Sequence, residues 1–304
     1  MMRLVTRSDF DGLVTAVLLR KLGMIDEMKF VHPKDMQDGT IEITKNDILT
    51  NIPFVPGCGL WFDHHASELK RSQEEKFEYE GEIRIADSAA RVVYEYYGGR
   101  DKFGPFFDSM MEGVDKADAA KFSKDDILQP AGWDLLSFIM DSRTGLGRYR
   151  DFRISNYQLM EKLVGLCLEQ SLDHIMQDED VLQRVERYYE LDVLFREMLT
   201  KHTRIEGHAI VTDLRGVEPI YPGNRFLIYA LFPEQNVSLW IVDGFQKQNC
   251  AIACGHSIVN RTCDVSVGYL MRAYGGGGHE AAGTCQVPYD QADETIAAII
   301  KQFN

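Results

Sequence analysis

The chain has 304 residues, of which 45% are hydrophobic, 26% charged and 11% aromatic. That length favours two domains, and the composition excludes a disordered, collagen-like or disulfide-scaffold protein. A net charge of −14 disfavours a protein that coats long nucleic acid, because such binding draws on clustered Lys and Arg.

The first elements alternate. Arg3–Thr6 is short and β-prone, Asp9–Gly12 breaks it, and Leu13–Leu22 reads as a helix closed by Gly23. Phe30–Val31, Asp47–Thr50 and Gly59–Phe62, ending at Asp63, read as further strands. Asp87–Tyr97 reads as a helix with an N-cap candidate and a Gly98-Gly99 stop. Strands alternating with helices predict an α/β domain on a mostly parallel sheet over residues 1–155. From Pro130 to about Thr200 the period is helical, giving a connector over residues 156–203. Beyond His208 the segments Ala209–Thr212, Phe226–Ala230, Val237–Val242 and Ala251–Cys254 read as strands, so a smaller α/β domain is expected over residues 204–304.

No apolar run approaches the roughly 20 residues of a bilayer span. Arg3, Arg7 and Asp9 bring charge before any secretory apolar stretch, so a cytoplasmic protein with no membrane partner is expected. The six cysteines form no CxxC pair and are expected to be reduced. Cys250 and Cys254, on one face of a strand, read as core. Residues 204–304 carry seven Lys+Arg against ten Asp+Glu, which places most of the acidity in the first two thirds. Those acids read as solvated faces, or in part as a hard-cation site.

Three segments carry candidate chemistry. Phe62-Asp63-His64-His65 ends an apolar strand, where open parallel sheets place ligand sites. Asp9-Phe10-Asp11-Gly12 puts two carboxylates on another strand-to-helix turn. Tyr274 to Gly283 is a glycine loop with His279 and a helix-compatible continuation, suited to presenting backbone N–H groups to phosphate. Taken singly they also read as surface polar residues, a simple turn and a flexible linker.

Together, in this order, they resemble the DHH phosphoesterase family in its two-domain form, whose DHHA1 domain carries a GGGHxxAAG motif, matched here from Gly276 to Gly283. RecJ-like exonucleases, nano-RNases that also cleave pAp, cyclic-dinucleotide phosphodiesterases and exopolyphosphatase-related proteins share this form. The resemblance implies Mn²⁺, with Mg²⁺ as the alternative, held between the domains. It implies that one ion is bound by Asp11, His64 and, from Lys116–Phe122, Asp118, with His65 and Asp63 at the reacting phosphate. Substrate contacts would come from Ser257, Arg261, Gly276, Gly277, Gly278 and His279.

The other metal position departs from the family. Arg7 stands where a histidine is usual, leaving Asp9, and Asn51 stands where a bridging aspartate is expected. Asp47 begins the strand that Asn51 ends, roughly 13 Å away at ~3.3 Å per residue, too far to bridge. Two divalent ions ~3.7 Å apart repel by about 18 kcal/mol at an effective dielectric constant of ~20, so losing a bridging carboxylate matters. Arg7 can mimic part of an ion's charge or bind substrate phosphate. Arg143, Arg148, Arg150 and Arg153 crowd a segment that reads either as solvated connector or as a phosphate-facing patch.

The expectation is a metal-dependent phosphoesterase acting on short single-stranded oligonucleotides or small nucleotides through one or two ions. The alternative is a catalytically degenerate relative that binds nucleotide without turnover. A homodimer is compatible with either.

Overall fold

The structure, a computed structural model, describes residues 1–32, 35–36 and 38–304. Residues 1–121 and 131–187 form one compact unit, and residues 122–130 and 188–304 a second; the division falls inside the helix Glu179–His202. Among the described residues no helix is long and apolar enough to cross a membrane.

The first unit is built on a five-stranded sheet of β1 (Met2–Arg7), β2 (Ile25–Val31), β3 (Asp47–Thr50), β4 (Leu60–Asp63) and β5 (Gly81–Ile83), in the order β2-β1-β3-β4-β5. Every pairing is parallel, as the alternation of strands and helices predicts. Val5, Leu49 and Trp61 form one registered row and share a core with Val31, Met36, Ile52, Phe54 and Ile83. Burial on both faces explains why these strands read as apolar runs.

Helix α1 (Phe10–Lys21) follows β1 and is buried from Phe10 to Leu19. It is followed by α2 (Ala66–Glu75), α3 (Ala89–Tyr96), α4 (Asp108–Asp118), α5 (Gly132–Met140) and α6 (Asn156–Glu169). Helix α3 packs on β4, where the rings of Tyr96 and Tyr97 lie 5.0 and 6.0 Å from Phe62. Its N-cap is Ser88, whose side chain accepts the Arg91 N–H. Ser88 Oγ and Arg91 Nε also donate to Asp115 at 2.7 and 2.8 Å, which pins the start of α3 to α4.

The second unit carries a six-stranded sheet in the order β10-β11-β9-β8-β7-β6, formed by β6 (Thr203–Glu206), β7 (Ala209–Asp213), β8 (Val237–Asp243), β9 (Cys250–His256), β10 (Gly277–His279) and β11 (Ala282–Val287). Only β7 and β8 pair in parallel. One face is sealed by the helix Tyr289–Ile300 through Ala292, Ile296, Ile299 and Ile300, over a core that includes Cys250, Cys254 and Cys285. Burial pushes the Cys285 thiol up to about 11, which keeps it protonated and unreactive.

Two expectations for this unit are corrected. Phe226–Ala230 is not a strand: Leu227–Leu231 is a helix, with the Phe226 N–H donating to Asn224 Oδ1 at 3.0 Å. Leu227, Ile228, Tyr229 and Ala230 are all buried, so every position is apolar and no helical period could show. The glycine segment is not a loop leading into a helix. It is an antiparallel hairpin in which Gly277 pairs with Thr284, Gly278 with Gly283 and His279 with Ala282.

Candidate active site

Sheet order makes the site. The chain leaves β1 for β2 on one side and returns to β3 on the other, so the carboxyl ends of β1 and β3 border the switch point of the sheet, where ligands collect, with β4 next to β3. Thr6, Thr50 and Phe62 lie in one row. The next residue of each strand is therefore Arg7, Asn51 and Asp63. From β1 the chain turns at Asp9, which N-caps α1 by accepting the Gly12 N–H at 3.0 Å. A Cβ on Gly12 would lie 2.0 Å from the Arg7 carbonyl oxygen. Only glycine lets α1 start this close to the strand, and that closeness carries Asp11 into the site.

Asp11, His64 and Asp118 offer ligand atoms that all lie within 4.8 Å of one another. Asp11 is 1% exposed. Its two oxygens accept the backbone N–H groups of Ala89, at 2.9 Å, and Ala90, at 2.7 Å, so the start of α3 holds the carboxylate from behind. His64 Nδ1 lies 3.1 Å from the Ala86 carbonyl oxygen. That contact requires the proton on Nδ1 and leaves Nε2 as the electron-pair donor, the arrangement of a metal-ligating histidine. Nε2 lies 3.1 Å from Asp118 Oδ2 and 3.9 Å from Asp11 Oδ2. It is among the buried polar atoms without a well-aligned hydrogen bond.

The electrostatics favour a cation at this place. Burial, then the Asp118 charge, pushes the Asp11 carboxyl above the usual range. Burial works against the His64 imidazolium, but the Asp118 and Asp11 carboxylates outweigh it and raise its pKa. Burial would raise Asp118, but His64 outweighs it and holds that carboxyl low. The carboxylates thus draw a proton to His64, and a metal ion would compete for the same position. Two carboxylates and one imidazole fit a divalent ion that accepts oxygen and nitrogen donors.

Asp63 and His65 form a second arrangement. Asp63 Oδ1 lies 2.7 Å from His65 Nδ1 and accepts the backbone N–H groups of His64 and His65 at 2.7 and 3.3 Å. The carboxylate orients the ring and fixes its proton on Nδ1, so that in the neutral ring Nε2 carries the electron pair. Burial disfavours the His65 imidazolium, but Asp63 outweighs it, and the pKa is raised. Asp63 Oδ2 is buried without a hydrogen-bond partner among the described residues. Asp63, His64 and His65 also offer ligand atoms within 4.8 Å of each other, but Asp63 Oδ1 is already engaged by three N–H groups.

Asp9 is engaged differently. Arg7 Nε lies 3.2 Å from its Oδ2, and Asn51 Nδ2 donates to Oδ1 at 3.2 Å and Oδ2 at 3.4 Å. Asn51 is 1% exposed and adopts a left-handed conformation with φ of 56°. Its backbone N–H donates to the Phe62 carbonyl at 3.2 Å, which locks this turn beside β4. A guanidinium and an amide N–H thus engage Asp9, and the fixed positive charge of Arg7 opposes a second cation beside it. Asp47 lies at the far end of β3, where Arg3 Nε binds it at 2.6 Å, so it takes no part. The amide grip on Asp11, the Ala86 carbonyl behind His64 and the double hold on Asp9 are visible only once the strands are in register.

The remaining expected residues lie in the second unit. Ser257 is buried, and its hydroxyl accepts the N–H groups of Val259 and Asn260 at 3.2 and 3.0 Å, closing the turn that presents Arg261. Arg261 is exposed, with Nε on the Ile258 carbonyl at 3.1 Å. A Cβ on Gly276 would lie 2.0 Å from the Thr284 carbonyl oxygen, whereas one on Gly277 meets nothing within 4 Å. Gly276 is thus required by the hairpin itself. Gly277 keeps one backbone face open, and Gly278 and His279 are exposed beside it.

The pGpG-specific phosphodiesterase PggH from Vibrio cholerae is 48% identical to this chain, with a TM-score of 0.89 over 100% of this chain and 99% of that one. The chain belongs to the DHH phosphoesterase family. It is a phosphoric ester hydrolase. A solved DHH domain, from a protein described as a member of a family of ribosomal proteins, shares the fold at 10% identity and a TM-score of 0.53, over 99% of this chain and 86% of that one. No family model and no curated protein matches the chain.

Proposed function

We propose that this DHH phosphoesterase cleaves 5′-phosphorylated dinucleotides, with pGpG first among them, using one divalent ion, Mn²⁺ in preference to Mg²⁺. The observation that carries this reading is the Asp11, His64 and Asp118 group, whose ligand atoms lie within 4.8 Å, beside an Asp9 already engaged by Arg7 and Asn51. The substrate class rests on the 48% identity to PggH. An imidazole in the donor set favours Mn²⁺ over the all-oxygen preference of Mg²⁺.

Asp11, His64 and Asp118 would hold the ion, which would supply Lewis-acid polarisation of a phosphoryl oxygen and activation of water. The residues of the chain do the rest. Ala89 and Ala90 hold the Asp11 carboxylate, and Ala86 sets the His64 tautomer. His65, oriented by Asp63, presents Nε2 to the reacting group, where it moves a proton or donates to phosphate. Arg7 adds a fixed positive charge next to the ion, stabilising the charge that gathers on phosphoryl oxygens. Gly276, Gly277, Gly278, His279 and Arg261 form the surface of the second unit that takes a terminal phosphate.

The test is a hydrolysis panel of pGpG, other 5′-phosphorylated dinucleotides, pAp, a cyclic dinucleotide and polyphosphate, with Mn²⁺ titrated in. Release of mononucleotide from the linear dinucleotides, dependent on Mn²⁺, is expected. Preferential release of orthophosphate from pAp or polyphosphate would overturn the assignment.

A further inference from the structure

Resting on that reading, we propose that Asp115 is a positioning residue of the metal site, one that holds the supports of Asp11 and His64 in register with Asp118. The three ligands come from separate elements: Asp11 from the start of α1, His64 from the turn after β4 and Asp118 from the last residue of α4. One short segment, residues 86–90, reaches two of them. The Ala86 carbonyl oxygen lies 3.1 Å from His64 Nδ1, and the Ala89 and Ala90 N–H groups hold Asp11 at 2.9 and 2.7 Å. The geometry of the donor set therefore depends on where this segment stands against α4, and Asp115 fixes that placement. It precedes Asp118 by three residues on α4, so both project from one side of the helix. Ser88 Oγ donates to its Oδ1 at 2.7 Å, and Arg91 reaches its Oδ2 through Nε at 2.8 Å and Nη2 at 2.6 Å.

The contact with Ser88 reaches Asp11 through the order of donors. A helix begins with N–H groups that have no partner inside it. In α3 those of Ala89 and Ala90 go to Asp11, and that of Arg91 goes to Ser88 Oγ at 2.9 Å. The Ser88 hydroxyl accepts there because its one proton is given to Asp115. Asp115 thus orients the cap, the cap fixes the first turn, and the first turn leaves the two N–H groups that Asp11 takes. Ser88 is buried and the Asp115 side chain is 15% exposed, so losing these bonds leaves polar groups that water replaces poorly. A second link joins the same segment to the residues after α4: Lys121 Nζ lies 2.7 Å from both Asp87 carboxylate oxygens. Those side chains are 55% and 44% exposed, where an ion pair is screened and contributes little. The Asp115 bonds are the ones that carry the placement.

The experiment compares wild type, Asp115→Asn, Ser88→Ala, their double variant and Lys121→Met. It uses calorimetric Mn²⁺ titration well below Tm, amide hydrogen exchange of the metal-free protein and steady-state cleavage of the dinucleotide panel. Asp115→Asn is expected to weaken Mn²⁺ about tenfold and to lower the exchange protection of the Ala89 and Ala90 amides. Saturating Mn²⁺ should restore its kcat to within about threefold of wild type. A merely structural role would lower Tm without moving Mn²⁺ affinity in the folded protein. Ser88→Ala should weaken Mn²⁺ in the same direction, and the double variant by less than the product of the two factors, because both act through one contact. Lys121→Met should leave Mn²⁺ affinity unchanged. Unaltered Mn²⁺ affinity in Asp115→Asn, an equal loss in Lys121→Met, or a loss of kcat that saturating Mn²⁺ does not restore would overturn the role of Asp115. Were Asp115→Asn to misfold, unaltered affinity in Ser88→Ala would overturn it equally. Wild type that binds Mn²⁺ but cleaves no dinucleotide would overturn the proposed function instead, and the Mn²⁺ comparison would still read Asp115 by itself. Wild type that binds no Mn²⁺ would overturn both.

Discussion

Arg7 Nε lies 3.2 Å from Asp9 Oδ2, on a carboxylate that also accepts two contacts from the Asn51 side-chain amide. A carboxylate paired with a guanidinium is a poor cation ligand, because a fixed positive charge repels the incoming ion. Combining Arg7→His with Asn51→Asp removes a positive charge and adds an imidazole and a carboxylate. The double variant should gain a second Mn²⁺ per chain by calorimetry. Neither single variant should, because both groups would support the same ion. A second ion already bound by Asn51→Asp alone would assign the block to that residue rather than to Arg7.

The three-residue donor group makes a sharper prediction. His64→Ala should lower Mn²⁺ affinity by at least about 100-fold, with circular dichroism unchanged. Asp11→Asn should lose the metal as well, and it should also lose roughly 1–3 kcal/mol of stability. An amide NH₂ would then face the Ala89 or Ala90 N–H that now donates to Asp11. Unchanged Mn²⁺ affinity in both variants would remove Asp11 and His64 from the site.

Proton and metal compete for one place. The neighbouring carboxylates raise His64 above its ordinary value in the metal-free protein. The stability it contributes is therefore fully present below its unfolded pKa of about 6.5 and is lost as pH rises through the folded value. Metal binding runs the other way, since it needs the neutral ring. Thermal melts from pH 6 to 9 should show a stabilisation by Mn²⁺ that grows with pH and is accompanied by proton release. A stabilisation that shrinks with pH would contradict this.

In the glycine hairpin two neighbouring substitutions should separate. A Cβ at Gly276 would meet the Thr284 carbonyl oxygen at 2.0 Å, and one at Gly277 would meet nothing within 4 Å. Gly276→Ala should lower Tm. Gly277→Val should leave Tm nearly unchanged and weaken nucleotide binding without altering Mn²⁺ affinity. Equal nucleotide affinity in Gly277→Val would exclude that backbone face from substrate contact.

The parallel-sheet half was legible because its signals are local. Asp47–Thr50 is an apolar run with a polar turn after it, and Asp63 follows an apolar strand; both end where the structure ends them. Resemblance to the DHH family also singled out Asp11, His64 and Asp118, which the fold brings together. The helix Leu227–Leu231 was hidden because burial on all sides erases periodicity. The hairpin was hidden because glycine has no side chain to alternate across a strand. Arg143 stood among several arginines that sequence could not tell apart. Only the folded chain shows Arg153 bound to Asp180, at 2.8 Å from Nε and from Nη2, and Arg143 bound to Asp141, at 2.8 Å from Nε.

The central claim is that the chain is a phosphodiesterase working with one divalent ion held by Asp11, His64 and Asp118. The most direct measurement is the number of Mn²⁺ ions bound per chain, by calorimetric titration of a preparation whose dinucleotide cleavage is followed in parallel. One ion per chain, with cleavage rising and saturating as that ion binds, is the predicted result. Two ions per chain, or cleavage that begins only after a second ion binds, would contradict it.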